Sequence, residues 1–334
     1  MLHRIAIRLA LALSVLTVGA AAAPAGALAA GSTGGDGPPV SATPVSIELM
    51  GLFSVHGDRV TVPKRAVIVS GMLAHWVPRQ RILLVASVGS HVFKRELLWI
   101  ADRGGRGHFQ ARLAAPQPGR IRVRLYHARS TRMLSFERWT SYDALDNQTP
   151  TLPGATGRLV QLVQQRLAAL HLYIPQTGVY DQGTELALDA YHRLLGWGEG
   201  NTSLGSATLT DLLDGIGSFH VRYPNQGPHA EGDLSDQVLA LTNGADVQLL
   251  FPISSGKPST PTILGSYQVY RKQPGYLPDG MYYSNFFTGG YAIHGYDPAP
   301  DYPASHGCMR LPIVDAIPAY DWIQMGDWVD TYYT

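Results

Sequence analysis

The sequence predicts a multidomain, mainly β fold: a β-sandwich first, a small three-helix bundle next, and a second β-rich domain at the C-terminal end. Three observations predict it. Short runs of alternating apolar and polar residues fill the chain up to about residue 142 and return beyond residue 220. Between those stretches the apolar spacing widens to the three-and-four pattern of a helix face. Clusters of proline, glycine and threonine punctuate the changes of period. A chain of 334 residues is long enough for two or three domains, and 45% hydrophobic residues is ordinary for globular protein.

In chain order, residues 1–30 read as a secretory signal. Arg4 and Arg8 precede an apolar run from Leu9 to Ala23, and Ala27-Leu28-Ala29 has the small-x-small form of a cleavage site. The run of 15 residues ends at Pro24, short of the ~20 that a bilayer requires, so export with cleavage and no membrane span afterwards is expected. Residues 31–44, rich in Gly, Ser, Thr and Pro, read as a flexible linker.

Residues 45–142 are expected to form an Ig-like β-sandwich. Val60 and Val62, then Val67 and Val69, flank Pro63-Lys64; Phe109, Ala111 and Leu113 alternate with polar neighbours, as do Ile121, Val123 and Leu125, with Pro116-Gln117-Pro118-Gly119 turning between them. His56, His75, His91, His108 and His127 are scattered singly and suggest no site. Thr149-Pro150-Thr151-Leu152-Pro153-Gly154 marks a boundary, after which residues 150–217 turn helical. Val160, Val163, Leu167 and Leu170 share one helix face; Ala187, Ala190, Tyr191 and Leu194 share another; a third helix starts at Ser206 and stops near Gly215. Residues 220–334 return to β. Asn243-Gly244 between alternating runs signals a type I′ hairpin, and Tyr267, Val269 and Arg271 continue the alternation.

Charge is uneven although the total is only +1. Residues 40–142 hold 16 basic and 5 acidic residues, net +11; residues 220–334 hold 5 and 11, net −6. The basic third suits anionic envelope polymers or the chain's own acidic domain, and nothing in it points to nucleic acid.

The chemistry gathers late. Cys308 is the only cysteine and cannot make an internal disulfide, and its neighbours in Ser305-His306-Gly307-Cys308-Met309-Arg310 are unlike those of a buried structural thiol. A thiolate is the attacking form, and a free thiol is mostly protonated at neutral pH, so a base must stand near. Gly307 leaves room for a substrate carbonyl, and backbone N–H groups at Gly307 and Cys308 are candidate oxyanion donors.

Two histidines compete for the role of base. On an extended strand His306 would lie ~6.6 Å along from Cys308 on the same face. His294, from Tyr291-Ala292-Ile293-His294-Gly295, would come within ~4.5–5.5 Å if its strand paired antiparallel beside the cysteine. That spacing favours His294. With glycine at 295, a backbone carbonyl would have to orient the imidazole. Arg310 shares the strand face of Cys308 and carries a fork suited to a carboxylate. Tyr282, Tyr283, Phe286 and Phe287 crowd the approach to His294 as a cleft wall or an aromatic core.

His294-Gly295 followed by Ser305-His306-Gly307-Cys308-Met309-Arg310 resembles the signature of the L,D-transpeptidases, the YkuD-type cell-wall enzymes. The resemblance covers roughly the last third of the chain, and the Ser254-Ser255-Gly256-Lys257 loop is similar to one that precedes the active-site strands in that family. It implies a YkuD-like β-sandwich catalytic domain that acts on peptidoglycan stem peptides, with no cofactor. Cys308 would be the nucleophile and His294 the proton acceptor and donor. His306 and Gly307 would be the other catalytic members, and Ser305, Arg310, Tyr283 and Gly295 would contact substrate. The reaction implied is attack on residue three of a stem tetrapeptide, loss of the terminal D-Ala, and transfer to a neighbouring amine as a 3→3 cross-link in an extracytoplasmic wall. Residues 150–217 likewise resemble a peptidoglycan-binding helical module. Water as acceptor would make the protein a carboxypeptidase or endopeptidase, and loss of turnover would leave a non-catalytic wall-binding protein. A zinc or copper site from His294, His306 and Cys308 would need a fourth ligand that the strand does not offer.

Overall fold

The computed structural model describes residues 45–147, 152–198 and 200–334. The expected signal (1–30) and linker (31–44) lie outside the described residues, as does part of the 149–154 boundary.

The first region is built from β1 (Ser46–Met50), β2 (Phe53–Val55), β3 (Asp58–Thr61), β4 (Ala66–Leu73), β5 (Arg81–Val88), β6 (His91–Trp99), β7 (Ala101–Arg103), β8 (Arg106–Ala114), β9 (Gly119–His127) and β10 (Phe136–Ala144). They form two sheets, ordered β1-β4-β8-β7 and β2-β3-β10-β9-β5-β6. Alternation decides which faces meet. Val67, Val69, Phe109, Ala111 and Leu113 from one sheet close on Ile82, Leu84, Ile121, Val123 and Leu125 from the other. Each such aliphatic side chain contributes about 1.5–3 kcal/mol by leaving water. β10 runs to Ala144, two residues past the expected end at 142.

Three helices follow: α1 (Arg158–Ala169), α2 (Gln182–Leu194) and α3 (Ser206–Asp214). Asp181 caps α2 by accepting the Thr184 N–H at 3.0 Å, and Gly215 ends α3 in the left-handed region at φ 73°. The helices share one apolar cluster. Val160, Val163, Leu167, Leu188 and Tyr191 join Val55, Val60 and Leu145 of the first sandwich, and Val238, Ala240 and Leu250 of the following sheet. The bundle is thus cemented on both sides.

The last region comprises β11 (Pro228–Asp233), β12 (Val238–Asn243), β13 (Asp246–Pro252), β14 (Gly265–Gln268), β15 (Arg271–Tyr276), β16 (Tyr282–Thr288), β17 (Tyr291–Gly295), β18 (Met309–Leu311), α4 (Ile313–Trp322) and β19 (Trp328–Tyr332). Its sheets run β13-β12-β11-β19-β14 and β15-β16-β17-β18, and both supply a core that includes Leu239, Phe251, Ile293, Met309 and Val329. Two local expectations are corrected. Asn243 pairs with Asp246, so the β12–β13 turn centres on Gly244 and Ala245; only Gly244 has positive φ, the II′ rather than the I′ signature. The run Tyr267-Val269-Arg271 divides between β14 and β15, because the Val269 N–H turns to the Asp327 carbonyl at 2.9 Å as the chain leaves one sheet for the other. Among the described residues no helix is long and apolar enough to cross a membrane.

Candidate active site

Three segments meet at one end of the second sandwich: β17, the turn 305–308 that enters β18, and the loop 254–257. β17 and β18 pair in parallel, with Ile293 opposite Met309 and His294 opposite Arg310. The expected antiparallel neighbour is therefore corrected. The 296–308 connection is a crossover of the length that parallel strands need. Strand alternation then sorts the side chains. Ile293 and Met309 enter the core, while Ala292, His294 and Arg310 share the opposite face. Cys308 packs with Ala292 at that face, against Met281 and Phe286.

His306 does not share a strand with Cys308. Residues 306–308 form a bend, with Gly307 at φ 118°, and His306 is exposed with Nε2 3.3 Å from the Lys257 ammonium. Glycine is required at 307 twice over: the backbone lies where side chains are strained, and a Cβ would collide with the ring of Tyr291. Ser305 is fully buried. Its hydroxyl donates to the Cys308 carbonyl at 2.6 Å and accepts the Gly307 N–H at 2.9 Å. It shapes the turn from beneath, and the Gly307 N–H, a candidate oxyanion donor from the sequence, is already engaged.

Loop 254–257 is the floor under this turn. Ser254 and Arg310 exchange backbone hydrogen bonds (2.9 and 3.0 Å), the Ser255 carbonyl accepts from Ala304 (3.0 Å) and Ser305 (2.9 Å), and the Lys257 N–H donates to the Ser305 carbonyl at 3.0 Å. Gln237 locks Ser255 through its side-chain amide (2.7 and 2.9 Å). Arg193 of α2 donates to the carbonyls of Gln237 (2.8 Å) and Ile253 (3.0 Å) and pairs with Asp189, both charges being buried. The helical bundle thereby reaches the cysteine turn through three hydrogen-bonded links, by way of Gln237 and Ser255.

His294 is buried, and its Nδ1 lies 2.9 Å from the Gly295 carbonyl. A carbonyl can only accept, so Nδ1 carries the proton and Nε2 keeps its lone pair. Burial pushes the imidazole down to about 4, helped by the Arg310 charge and opposed by the Gly295 carbonyl and Asp279. Burial also raises the Cys308 thiol above its ordinary value; the Ala292 backbone N–H and the Arg310 charge pull the other way. The thiol points to the Gly290 carbonyl at 3.6 Å. The resting pair at neutral pH is a neutral thiol and a neutral imidazole.

Other expected residues fall as follows. Gly295 is buried, and a Cβ there would meet the Ala316 Cβ of α4 at 2.6 Å, so its role in the structure is to admit that helix. Tyr283, at φ 50°, sends its ring onto Tyr282 (4.7 Å) and Tyr320 of α4 (5.1 Å). The rings beside the Cys308 turn and His294 are Tyr291, over Gly307, and Tyr296, edge-on to His294 at 5.8 Å with the Arg310 guanidinium 4.0 Å above it. Sequence reasoning singled out the stretch holding Tyr291 and the loop holding Lys257 without giving either residue a role, and it missed Tyr296 and Asp279. Tyr296 was reachable, because it sits two residues beyond His294 and strand alternation returns it to that face. Among the described residues, no three of His, Cys, Asp and Glu converge as metal ligands.

Comparison with known proteins adds a family to this geometry. Residues 227–330 match the YkuD family, the L,D-transpeptidase catalytic domain. Among solved structures, the L,D-transpeptidase from Xylanimonas cellulosilytica is 28% identical, with a TM-score of 0.51, over 56% of this chain and 100% of that one. The catalytic domain of the E. faecium L,D-transpeptidase is 26% identical over 32% of this chain and 98% of its own, with a TM-score of 0.29. No curated protein matched the sequence.

Proposed function

Residues 227–330 form an L,D-transpeptidase catalytic domain of the YkuD family, and from that premise we propose that the chain is an exported cysteine acyltransferase joining peptidoglycan stems by 3→3 cross-links. The observation that carries the mechanism is the contact of His294 Nδ1 with the Gly295 carbonyl: since the carbonyl can only accept, Nδ1 holds the proton and Nε2 is left to take one. In the proposed first step Cys308 attacks the carbonyl of residue three in a stem tetrapeptide as His294 accepts the thiol proton. The carbon–sulfur bond forms, the peptide carbon–nitrogen bond breaks, and His294 returns the proton to the departing D-Ala amine. An amine of a second stem then displaces the sulfur. With the Gly307 N–H engaged by Ser305, the oxyanion donor falls to the N–H of Cys308 itself. Arg310 both favours the thiolate that develops and, from its seat on Tyr296, recognises a stem carboxylate.

The wider organisation belongs to the same proposal: a signal over 1–30, a linker over 31–44, the sandwich 45–142 and the bundle 150–217 as carriers for the enzyme of 220–334. Mass spectrometry of the full chain incubated with a stem tetrapeptide tests the core of it. The expected result is a Cys308 adduct with loss of D-Ala, resolved by a diamino-acid amine into a dimer. Cys308→Ser should remove adduct and product while leaving the melting temperature close to wild type. A serine variant with near-normal turnover would overturn the thiol mechanism, and release of free tripeptide without dimer would reassign the acceptor to water.

A further inference from the structure

The outward face of the β10-β9-β5-β6 sheet is unusual for a solvated surface. Register aligns Glu137, Tyr126, Leu83 and Leu97 in one row across the four strands, and Trp139, Arg124, Val85 and Arg95 in the next. Arg81 opposite Trp99 flanks the first row, and Ser141, Arg122, Ser87 and Val92 flank the second. Four of these apolar side chains stand in water: Trp99 and Trp139 are each 59% exposed, Leu97 and Val92 each 51%. Exposed indoles on a strand surface that covers no core among the described residues are a cost without a partner, and an aromatic-bearing face of this kind is a candidate binding surface.

The cations narrow the partner. Arg81 lies 4.2 Å over Trp99, and Arg124 stands 5.5 Å from Tyr126 and 5.7 Å from Trp139. The two acids of the face are already matched, Glu137 by Arg124 (2.9 Å) and Asp143 by Arg120 (3.3 Å). Arg81, Arg95 and Arg122 have no carboxylate within ion-pair distance among the described residues. The platform therefore offers flat apolar rings at two corners of a four-strand width, roughly 14 Å, with unmatched guanidinium forks between and beside them.

We propose that this face docks an anionic glycan of the wall, sugar rings lying on Trp99 and Trp139 and acidic groups held by Arg81, Arg95 and Arg122. A polymer that carries both sugar rings and acidic groups matches a surface with indoles at two corners and guanidinium forks between and beside them. A bilayer suits it less well, since these apolar groups are singly spaced among arginines on strands, with no contiguous ridge to insert. Naming the wall as the polymer's source rests on the catalytic proposal; the choice of an acidic glycan rests on the sheet alone.

The test is co-sedimentation of the full chain with insoluble walls that retain their anionic polymers, against the same walls after acid extraction. Arg95→Glu/Arg122→Glu should weaken binding to intact walls by at least about tenfold, and Trp99→Ala/Trp139→Ala by about threefold to tenfold. Added salt should weaken the wild type, and extracted walls should bind poorly. Melting temperatures and turnover of a soluble stem tetrapeptide should not change in either variant. Equal binding to extracted walls, indifference to both double substitutions, or tighter binding to phosphatidylglycerol vesicles than to walls would each overturn the proposal. Failure of the catalytic assignment would look different: no D-Ala release from wild type, with wall binding intact.

Discussion

At the scale of single residues, the decisive feature is the proposed base, His294, whose imidazole stays neutral far below the ordinary histidine range. Burial holds His294 at about 4, so the acid limb of kcat/KM, which reports the free enzyme, should fall near that pH rather than near about 6.5. A limb at 6.5 in a pH–rate series would show that His294 is not the group titrating. The same depression has a folding consequence. The unfolded chain binds a proton at His294 below about 6.5 that the folded chain refuses until about 4, so this group's contribution to stability is lost as pH falls through that window. Asp315, raised by burial to about 7, acts in the opposite sense: its contribution is present below about 4 and fades as pH rises toward 7. Urea titrations of wild type and Asp315→Asn between pH 4 and 8 should show the substitution gaining relative stability as pH rises. His294→Ala should cost about a hundredfold or more in rate, and His306→Ala less, because His306 is exposed and its ring lies against the Lys257 ammonium; the reverse order in a turnover assay would exchange their roles.

At the scale of elements, α2 and the floor under the Cys308 turn are one unit. Arg193 and Asp189 are buried together, and Arg193 holds the Gln237 and Ile253 carbonyls from the bundle side. Arg193→Ala should destabilise the chain by about 3–5 kcal/mol, since Asp189 is left buried without its countercharge. Turnover measured well below the lowered melting temperature should fall too, because Gln237 in turn fixes Ser255 beneath Ser305. Unchanged activity in a destabilised variant would separate the brace from the site. Elements were also where the sequence spoke most clearly. Helical spacing located α1, α2 and α3, and alternation located β8 and β9, because in each the buried face is set by local period alone. What local period cannot carry is pairing direction. His294 and Cys308 lie close in sequence, yet the order β15-β16-β17-β18 closes with a parallel pair that only the crossover of 296–308 determines. The positive φ at Gly307 likewise moved His306 off the strand, and the arrival of Tyr291 over that glycine depends on packing between segments.

At the scale of the whole molecule, the described chain from the first sandwich to the last strand is joined through a shared apolar cluster. Val55, Val60, Val62 and Leu145 contribute from the sandwich side, each with about 1.5–3 kcal/mol of burial at stake. A chain beginning at residue 152 should therefore melt several degrees below the full chain and expose apolar surface to dye binding. Equal melting temperatures would mean that the sandwich is an independent passenger.

One consequence of the resting pair lies outside the reaction cycle. Peroxides consume thiolates and spare thiols. A sulfur that burial keeps protonated, aimed at the Gly290 carbonyl, is shielded from oxidants until, in the proposed reaction, a peptide is bound and His294 takes its proton. For a protein with a single cysteine and no second thiol to rescue it, that reticence would preserve the proposed nucleophile in the extracytoplasmic setting proposed for it.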